Sequence, residues 1–197
     1  MTEASTRERI VEATCRLFRS QGMAGTGLNQ IAKESKAPFG SIYHHFPGGK
    51  RQITETVIRE WGVQYRDYVL AILGSFPDFA ASVSPSLAGA GHHLVGTDYA
   101  DGCPVATVAL EVASTDETLR TATAEVFTDW VDHLIEAMAD TGLPAEERRR
   151  IAWSYLAALE GGFVLCRGLR SPEPLVAAGH VLGRAVLDAI TANAAEG

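Results

Sequence analysis

The stretch GMAGTGLNQIAKESKAPFGSIYHHFPGGKRQI, running from Gly22 to Ile53, decides how this chain is read. Leu28, Ile31 and Ala32 recur at helical spacing on a segment too short to hold itself together. Ser35-Lys36-Ala37 interrupts that segment. Pro38 then suits the first turn of a new helix, where its missing N–H costs little. Ile42 and Phe46 give the second helix a buried edge of its own. The pattern is two short helices joined by a tight turn, a helix-turn-helix.

The outward side of the second helix carries Phe39, Gly40, Ser41, Tyr43 and His44, with no carboxylate among them. Such a face suits a polyanion: hydroxyl, imidazole and backbone N–H groups bond phosphate oxygens, and Gly40 lets a partner come close. Lys50 follows as a second phosphate contact. The same spacing also fits an ordinary helical hairpin with Tyr43 and His44 at its surface.

Gly22, Thr26, Ile31-Ala32, Gly40-Ser41-Ile42-Tyr43-His44-His45-Phe46, Lys50 and Ile53 resemble the DNA-binding signature of the TetR family of transcriptional regulators. Gly48-Gly49-Lys50 and Asp101-Gly102-Cys103-Pro104-Val105-Ala106 resemble the LmrA/YxaF-like branch of that family. The resemblance implies an all-α fold with a three-helix DNA-binding head over residues 1–48. A helical ligand-binding and dimerisation body then covers 49–197. It places Thr26, Lys36, Phe39, Gly40, Ser41, Tyr43, His44 and Lys50 on double-stranded operator DNA. Two positions depart from the family pattern: Lys36 stands where a turn glycine is usual, and Gly27 where a hydroxyl residue is common.

The net charge of −7 looks wrong for a nucleic-acid binder until it is divided. Residues 1–51 hold eight Lys/Arg against four Asp/Glu, and residues 52–197 hold nine against twenty. A basic head on an acidic body is the asymmetry expected when only the head meets DNA. The start MTEASTRERIVEA lacks the apolar segment of a signal peptide, and no run of 18 apolar residues occurs. A cytoplasmic chain without a membrane helix is expected.

Working outward, Ser5 and Glu8 form a capping box for a first helix from about Thr6 to Gln21. Its apolar face is Ile10, Thr14, Leu17 and Phe18, and Arg7, Arg9, Arg16 and Arg19 surround the exposed side. A long helix to about Leu73 follows Gly48-Gly49. Pro85, Gly89, Gly91 and Gly96 predict a kinked or broken helix after Phe79. Further helices are predicted from Pro104 to about Ala113, and from Thr115-Asp116-Glu117 to Thr141-Gly142. Two last helices cover about Ala145–Gly168 and Pro172–Asn193, with Ser171 as N-cap of the second. Both are rich in small residues and carry apolar side chains on more than one side. They predict a homodimer interface that includes Ala158, Gly162, Val181, Leu182 and Val186.

An apolar pocket for a small molecule is expected among Trp61, Tyr65, Phe79, Cys103, Phe127, Trp130, Trp153 and Cys166, although an aromatic stripe at helical spacing fits simple core equally. Glu111 and Glu160 interrupt apolar stretches and could meet a cationic ligand. No metal or cofactor is expected: His92 and His93 diverge on a helix, and the three cysteines form no CxxC. No catalytic motif occurs. These readings converge on a ligand-responsive regulator, most simply a repressor that binds a palindromic operator as a dimer and is released by a small molecule. The rival is a thiol- or metal-responsive sensor, or a helical enzyme, whose body carries chemistry. A helical interaction protein that keeps an unused head is a second rival.

Overall fold

Helix α1 (Thr6–Gln21) starts as its sequence requires. The Ser5 hydroxyl accepts the Glu8 N–H at 3.2 Å, and the Glu8 carboxylate accepts the Ser5 N–H at 2.7 Å. The computed structural model describes residues 4–196, and among them every regular element is helical. In chain order the other helices are α2 (Leu28–Glu34), α3 (Phe39–His45), α4 (Gly49–Leu73) and α5 (Phe79–Gly96). They are followed by α6 (Pro104–Val112), α7 (Glu117–Ala137), α8 (Ala145–Leu169) and α9 (Glu173–Glu196).

The contacts divide the chain into two compact units. The first comprises Met1–Gln64 with Asp101–Val126, and the second Tyr65–Ala100 with Phe127–Gly197. The boundaries fall inside α4 and inside α7, so each of these helices contributes to both units.

In the first unit, α1, α2 and α3 pack on one another through Ile10, Phe18, Ile31, Ile42 and Phe46, all buried. Thr14 joins this core because its hydroxyl donates to the Ile10 carbonyl at 2.8 Å. Leu17, expected on the same face, is only half-buried. Helix α6 packs against α1. Its Glu111 carboxylate accepts the Ala24 N–H at 2.8 Å in the loop between α1 and α2. Gly22 begins that loop with φ +77°, and a Cβ there would collide with the same carboxylate. Only glycine meets both conditions without strain.

The second unit is organised around the contact of α5 with α9, which α8 joins from the side. Small residues set the spacing. A Cβ at Gly179 would lie 2.9 Å from the Ser84 carbonyl oxygen, and one at Gly183 would lie 3.2 Å from the Ser84 Cβ. Of the two outcomes predicted around Pro85, a kinked or a broken helix, the broken one does not occur: α5 continues through Pro85. Asp78 caps it, accepting the Ala81 N–H at 2.8 Å, and Pro85 costs the helix one backbone N–H at an exposed position. Helix α9 begins one residue later than predicted: Pro172 precedes its first turn, and the Ser171 hydroxyl accepts the Glu173 N–H at 3.2 Å.

One helix among the described residues passes a membrane-length test by length and composition alone. Glu173–Ala195 is long and apolar enough to cross a bilayer, and most of its side chains are not buried in this chain. The Arg184–Asp188 pair, 3.1 Å apart, lies within that stretch and makes a lipid-facing placement costly.

The glycines of the second unit separate by what surrounds them. Gly179→Ala should lower unfolding free energy by about 1–3 kcal/mol, because the new methyl meets backbone. Gly89→Ala, in open space on α5, should raise it by about 0.5–1 kcal/mol. Urea denaturation of the two variants checks the contrast.

Candidate nucleic-acid interface

Helices of seven residues have no stability of their own, so α2 and α3 persist because Ile31, Ile42 and Phe46 are buried against α1. That burial turns the other side of α3 outward. Phe39 is 45% and Tyr43 49% exposed, with their rings in an edge contact at 5.9 Å. Gly40 has open space where a Cβ would sit. His44 is exposed and its ring stands 4.9 Å from that of His45. Among the described residues the Tyr43 and Ser41 hydroxyls have no hydrogen-bond partner, so a face of unspent donors and an exposed aromatic pair is presented to solvent.

The turn between the helices is closed by Lys36 in the left-handed region, φ +52°. The Lys36 N–H donates to the Lys33 carbonyl at 3.2 Å, and the Ala37 N–H to the Ala32 carbonyl at 3.0 Å. The residue that departs from the family's glycine therefore adopts the glycine conformation. Gly27, the other departure, sits at the N-cap of α2 and leaves it without a side-chain cap.

Thr26 does not belong to the outward set. It is 1% exposed, and its hydroxyl donates to the Gly22 carbonyl at 2.7 Å and accepts from Gln21 at 3.2 Å. It braces the loop ahead of α2 instead of reaching a partner, which corrects the sequence expectation. Lys33, absent from that expectation, is exposed on α2. Its signal was the confinement of all three lysines to the first 50 residues.

The four arginines expected around the head, and Arg51 besides, are engaged inside the first unit. Arg7 pairs with Glu60 at 2.6 Å and lies over the Phe46 ring at 5.6 Å. Arg19 pairs with Asp101 at 2.5 Å, Arg51 with Asp116 at 2.7 Å, and Arg16 with Glu12 at 3.0 Å. The Arg9 guanidinium donates to the carbonyls of Ser35 and Ala4. Arg51 and the Leu119 N–H hold the Asp116 carboxyl below the usual carboxylate range. Lys33, Lys36 and Lys50 have no ion-pair partner among the described residues, so the mobile positive charge of the head is lysine.

The expected pocket residues scatter. Trp61 and Cys103 belong to the first unit, where Cys103 caps α6 by accepting the Ala106 N–H at 3.4 Å. In the second unit Tyr65 and Trp130 lie 5.5 Å apart, and Phe127 meets Trp130 edge-on at 5.7 Å. Tyr65, Trp130 and Tyr155 line a cavity of about 20 Å³, room for one water. The Tyr155 hydroxyl donates to Ser86 at 3.0 Å, and burial pushes its pKa up to about 12. Tyr155 escaped sequence reading because its spacing from Ile151 and Leu159 reads as plain core.

Phe79 lines a different, larger groove at the end of the same unit. Trp153 is 42% exposed on the outer side of α8 and lines neither cavity. Cys166 and Cys15 are buried, and burial raises both thiols, Cys15 to about 12. Neither is an activated thiolate. Glu111, considered for a cationic ligand, is spent on Ala24.

The expected interface residues divide by one step of helical phase. Gly162 and Val186 are buried in the chain's own core, where a Cβ at Gly162 would overlap Leu175. They are not available to a partner. Ala158 and Leu182 are half-buried. Val181 is 69% exposed, and Val164, Leu165, Leu169, Val176 and Leu187 share its exposure on α8 and α9.

The geometry defines a helix-turn-helix head with a helical body. Residues 10–57 match the model of the bacterial regulatory proteins of the tetR family. Residues 80–181 match that of the C-terminal domain of LmrA/YxaF-like transcriptional regulators. Among relatives, the HTH-type transcriptional regulator LmrA of Bacillus subtilis is 34% identical over 176 residues, covering 89% of this chain and 94% of its own. YxaF of the same organism is 30% identical over 175 residues, 89% and 92% of the two chains. Among solved structures, a cysteine mutant of the TetR family transcriptional regulator CifR, complexed with 26 bp double-strand operator DNA, superposes with a TM-score of 0.75. It is 20% identical and covers 94% of this chain and 99% of that one. The chain belongs to the TetR family. Within it, the chain is an LmrA/YxaF-like member, and its class is that of DNA-binding transcriptional regulators.

The left-handed turn gives a direct test. Lys36→Gly should raise unfolding free energy by up to about 1 kcal/mol by relieving the Cβ strain. Thermal unfolding followed by circular dichroism reads it.

Proposed function

We propose that this regulator is a repressor that grips a palindromic operator as a homodimer and lets go when a small molecule binds its body. In this reading residues 1–48 are the reading head and 49–197 the controlling and pairing body. The observation that carries it is the unspent outward face of α3, flanked by three unpaired lysines. Tyr43, His44 and Lys50 grip phosphates, joined by Lys33 and Lys36. Phe39 and Ser41 read base edges, Phe39 against a thymine methyl. The operator DNA held by CifR supports this docking of the head. Occupying an operator excludes other proteins from it, which is repression.

Pairing follows from the outward sides of α8 and α9. Val164, Leu165, Val181 and Leu187 leave more apolar surface in water than one chain keeps without cause. Two copies related by a two-fold axis would bury it, and their heads would then stand one or more helical turns apart, on the order of 35 Å.

In this reading the ligand acts through the small cavity under Tyr65 and Trp130. A ligand larger than water cannot enter about 20 Å³ without moving Tyr65, Trp130 or Tyr155. Its binding energy is then tied to a packing other than this one, and that differential affinity is what shifts a population.

Titration against DNA flanking the protein's own gene, over a salt series, tests the reading. Saturable binding with a steep salt slope is expected, whereas binding no tighter than to unrelated DNA would sink it. Tyr43→Ala should weaken all sequences alike, by about fivefold for one lost hydrogen bond. Phe39→Ala should relax sequence preference and leave the salt slope alone, and Lys50→Ala should reduce the slope by about 1 per head. Val181→Asp should raise the dimer dissociation constant about 100-fold, because like charges meet across the axis; sedimentation velocity measures it.

A further inference from the structure

Among the described residues of α1 to α3 and the turns that join them, Lys36 is the one non-glycine residue with positive φ, at +52°. A left-handed lysine crowds its own Cβ, which a glycine would not do. The bonds that close the turn run from the Lys36 N–H to the Lys33 carbonyl and from the Ala37 N–H to the Ala32 carbonyl. Both are main-chain bonds, and a glycine at position 36 would make them equally well.

The side chain adds no contact that would offset this strain. It is exposed, and among the described residues it forms neither an ion pair nor a hydrogen bond. Glu34 is the only carboxylate from Leu28 to His45, and it is exposed and makes no ion pair with Lys36. Lys33, three positions earlier, is a like charge. The C-terminal end of α2 favours a cation, but Lys33 already stands in its last turn, and at an exposed helix end that effect is smaller than the cost of the left-handed backbone.

Strain without a structural benefit points to function. Where a helix-turn-helix meets a duplex, its first helix crosses the backbone and its second enters the major groove, so the turn between them stands at the phosphates. Positive charge is scarce on this head, because Arg7, Arg9, Arg16, Arg19 and Arg51 are engaged elsewhere. We propose that Lys36 is a phosphate anchor for which the turn gives up stability: it weakens the fold and tightens the hold on DNA, through a contact that a glycine at this position cannot make. The proposal rests on the reading of α3 as the groove helix and deepens it, by placing part of the sequence-independent grip in the turn.

Full-length wild type, Lys36→Gly, Lys36→Asn and Lys36→Arg, each titrated against a fluorescent duplex of arbitrary sequence over a salt series, make the test. A phosphate contact is independent of sequence, so this probe suffices. Asparagine tolerates the left-handed region and carries no charge, which separates charge from strain. The glycine and asparagine variants should bind about three- to tenfold more weakly, with the slope of log affinity against log salt reduced by about 1 per head. The arginine variant should keep both the affinity and the slope. Thermal unfolding should place the Tm of Lys36→Gly above that of wild type.

A Lys36→Gly protein with the wild-type slope overturns the proposal. So does an arginine variant as weak as the asparagine one. A Lys36→Gly protein that melts below wild type also overturns it, by giving the lysine a structural role. Lys50→Ala tells this failure from failure of the underlying reading: a slope lost there and kept in Lys36→Gly overturns the turn anchor alone. Wild-type protein without salt-dependent binding to the duplex overturns both.

Discussion

Two helices of seven residues cannot survive in water alone, and this constraint shapes the head. Their stability comes from burying Ile31, Ile42 and Phe46 against Phe18 and Ile10 of α1. Because those residues must turn inward, Phe39, Ser41, Tyr43 and His44 must turn outward, along a helix too short to offer any other arrangement. The outward face of α3 is thus the complement of the core. The turn is subject to the same demand. Lys36 takes a left-handed backbone, and the Lys36 and Ala37 N–H groups close the turn onto α2.

The second unit meets its constraint differently. There the helices are long, and the difficulty is bringing them close. Gly179 and Gly183 let α9 approach the Ser84 backbone of α5. That approach fixes the rotation of α9, and with it the strip that carries Val181 and Leu187 in solvent. A tight seam on one side of a helix and an apolar strip on the other have one cause.

Two helix starts were legible because their signals are local: the Ser5–Glu8 box and Pro104 opening α6 each act within a few residues, whereas α7 ends at Ala137, short of the predicted Thr141-Gly142. The outward side of α3 was legible for the same reason. What was not legible depends on distant partners. Gly162 and Val186 fit either side of a small-residue helix, and only Leu175 and α5 decide that they point inward. Thr26 has the chemistry of a phosphate contact, but the Gly22 carbonyl claims its hydroxyl. The aromatic residues grouped as one pocket fall into separate units because composition carries no information on which helices meet. Pro85 and the glycines of α5 read as breaks, yet contact with α9 outweighs their local preference.

The loop after α1 owes part of its hydrogen bonding to a residue 87 positions later, the Glu111 carboxylate on Ala24. Arg19 and Arg51 likewise wait for Asp101 and Asp116. The first unit is therefore assembled from two stretches of chain separated by 36 residues that belong to the second. As the chain leaves the ribosome, α1 to α3 emerge before α5, but Asp101, Glu111 and Asp116, which fasten the first unit, are made only after α5 is complete. Closing so long a loop is entropically unfavourable and slow compared with local helix formation. The nascent first unit passes through an interval in which Arg19 and Arg51 lack their later acidic partners. During synthesis, α1 to α3 are thus made well before the acidic residues that hold Arg19 and Arg51.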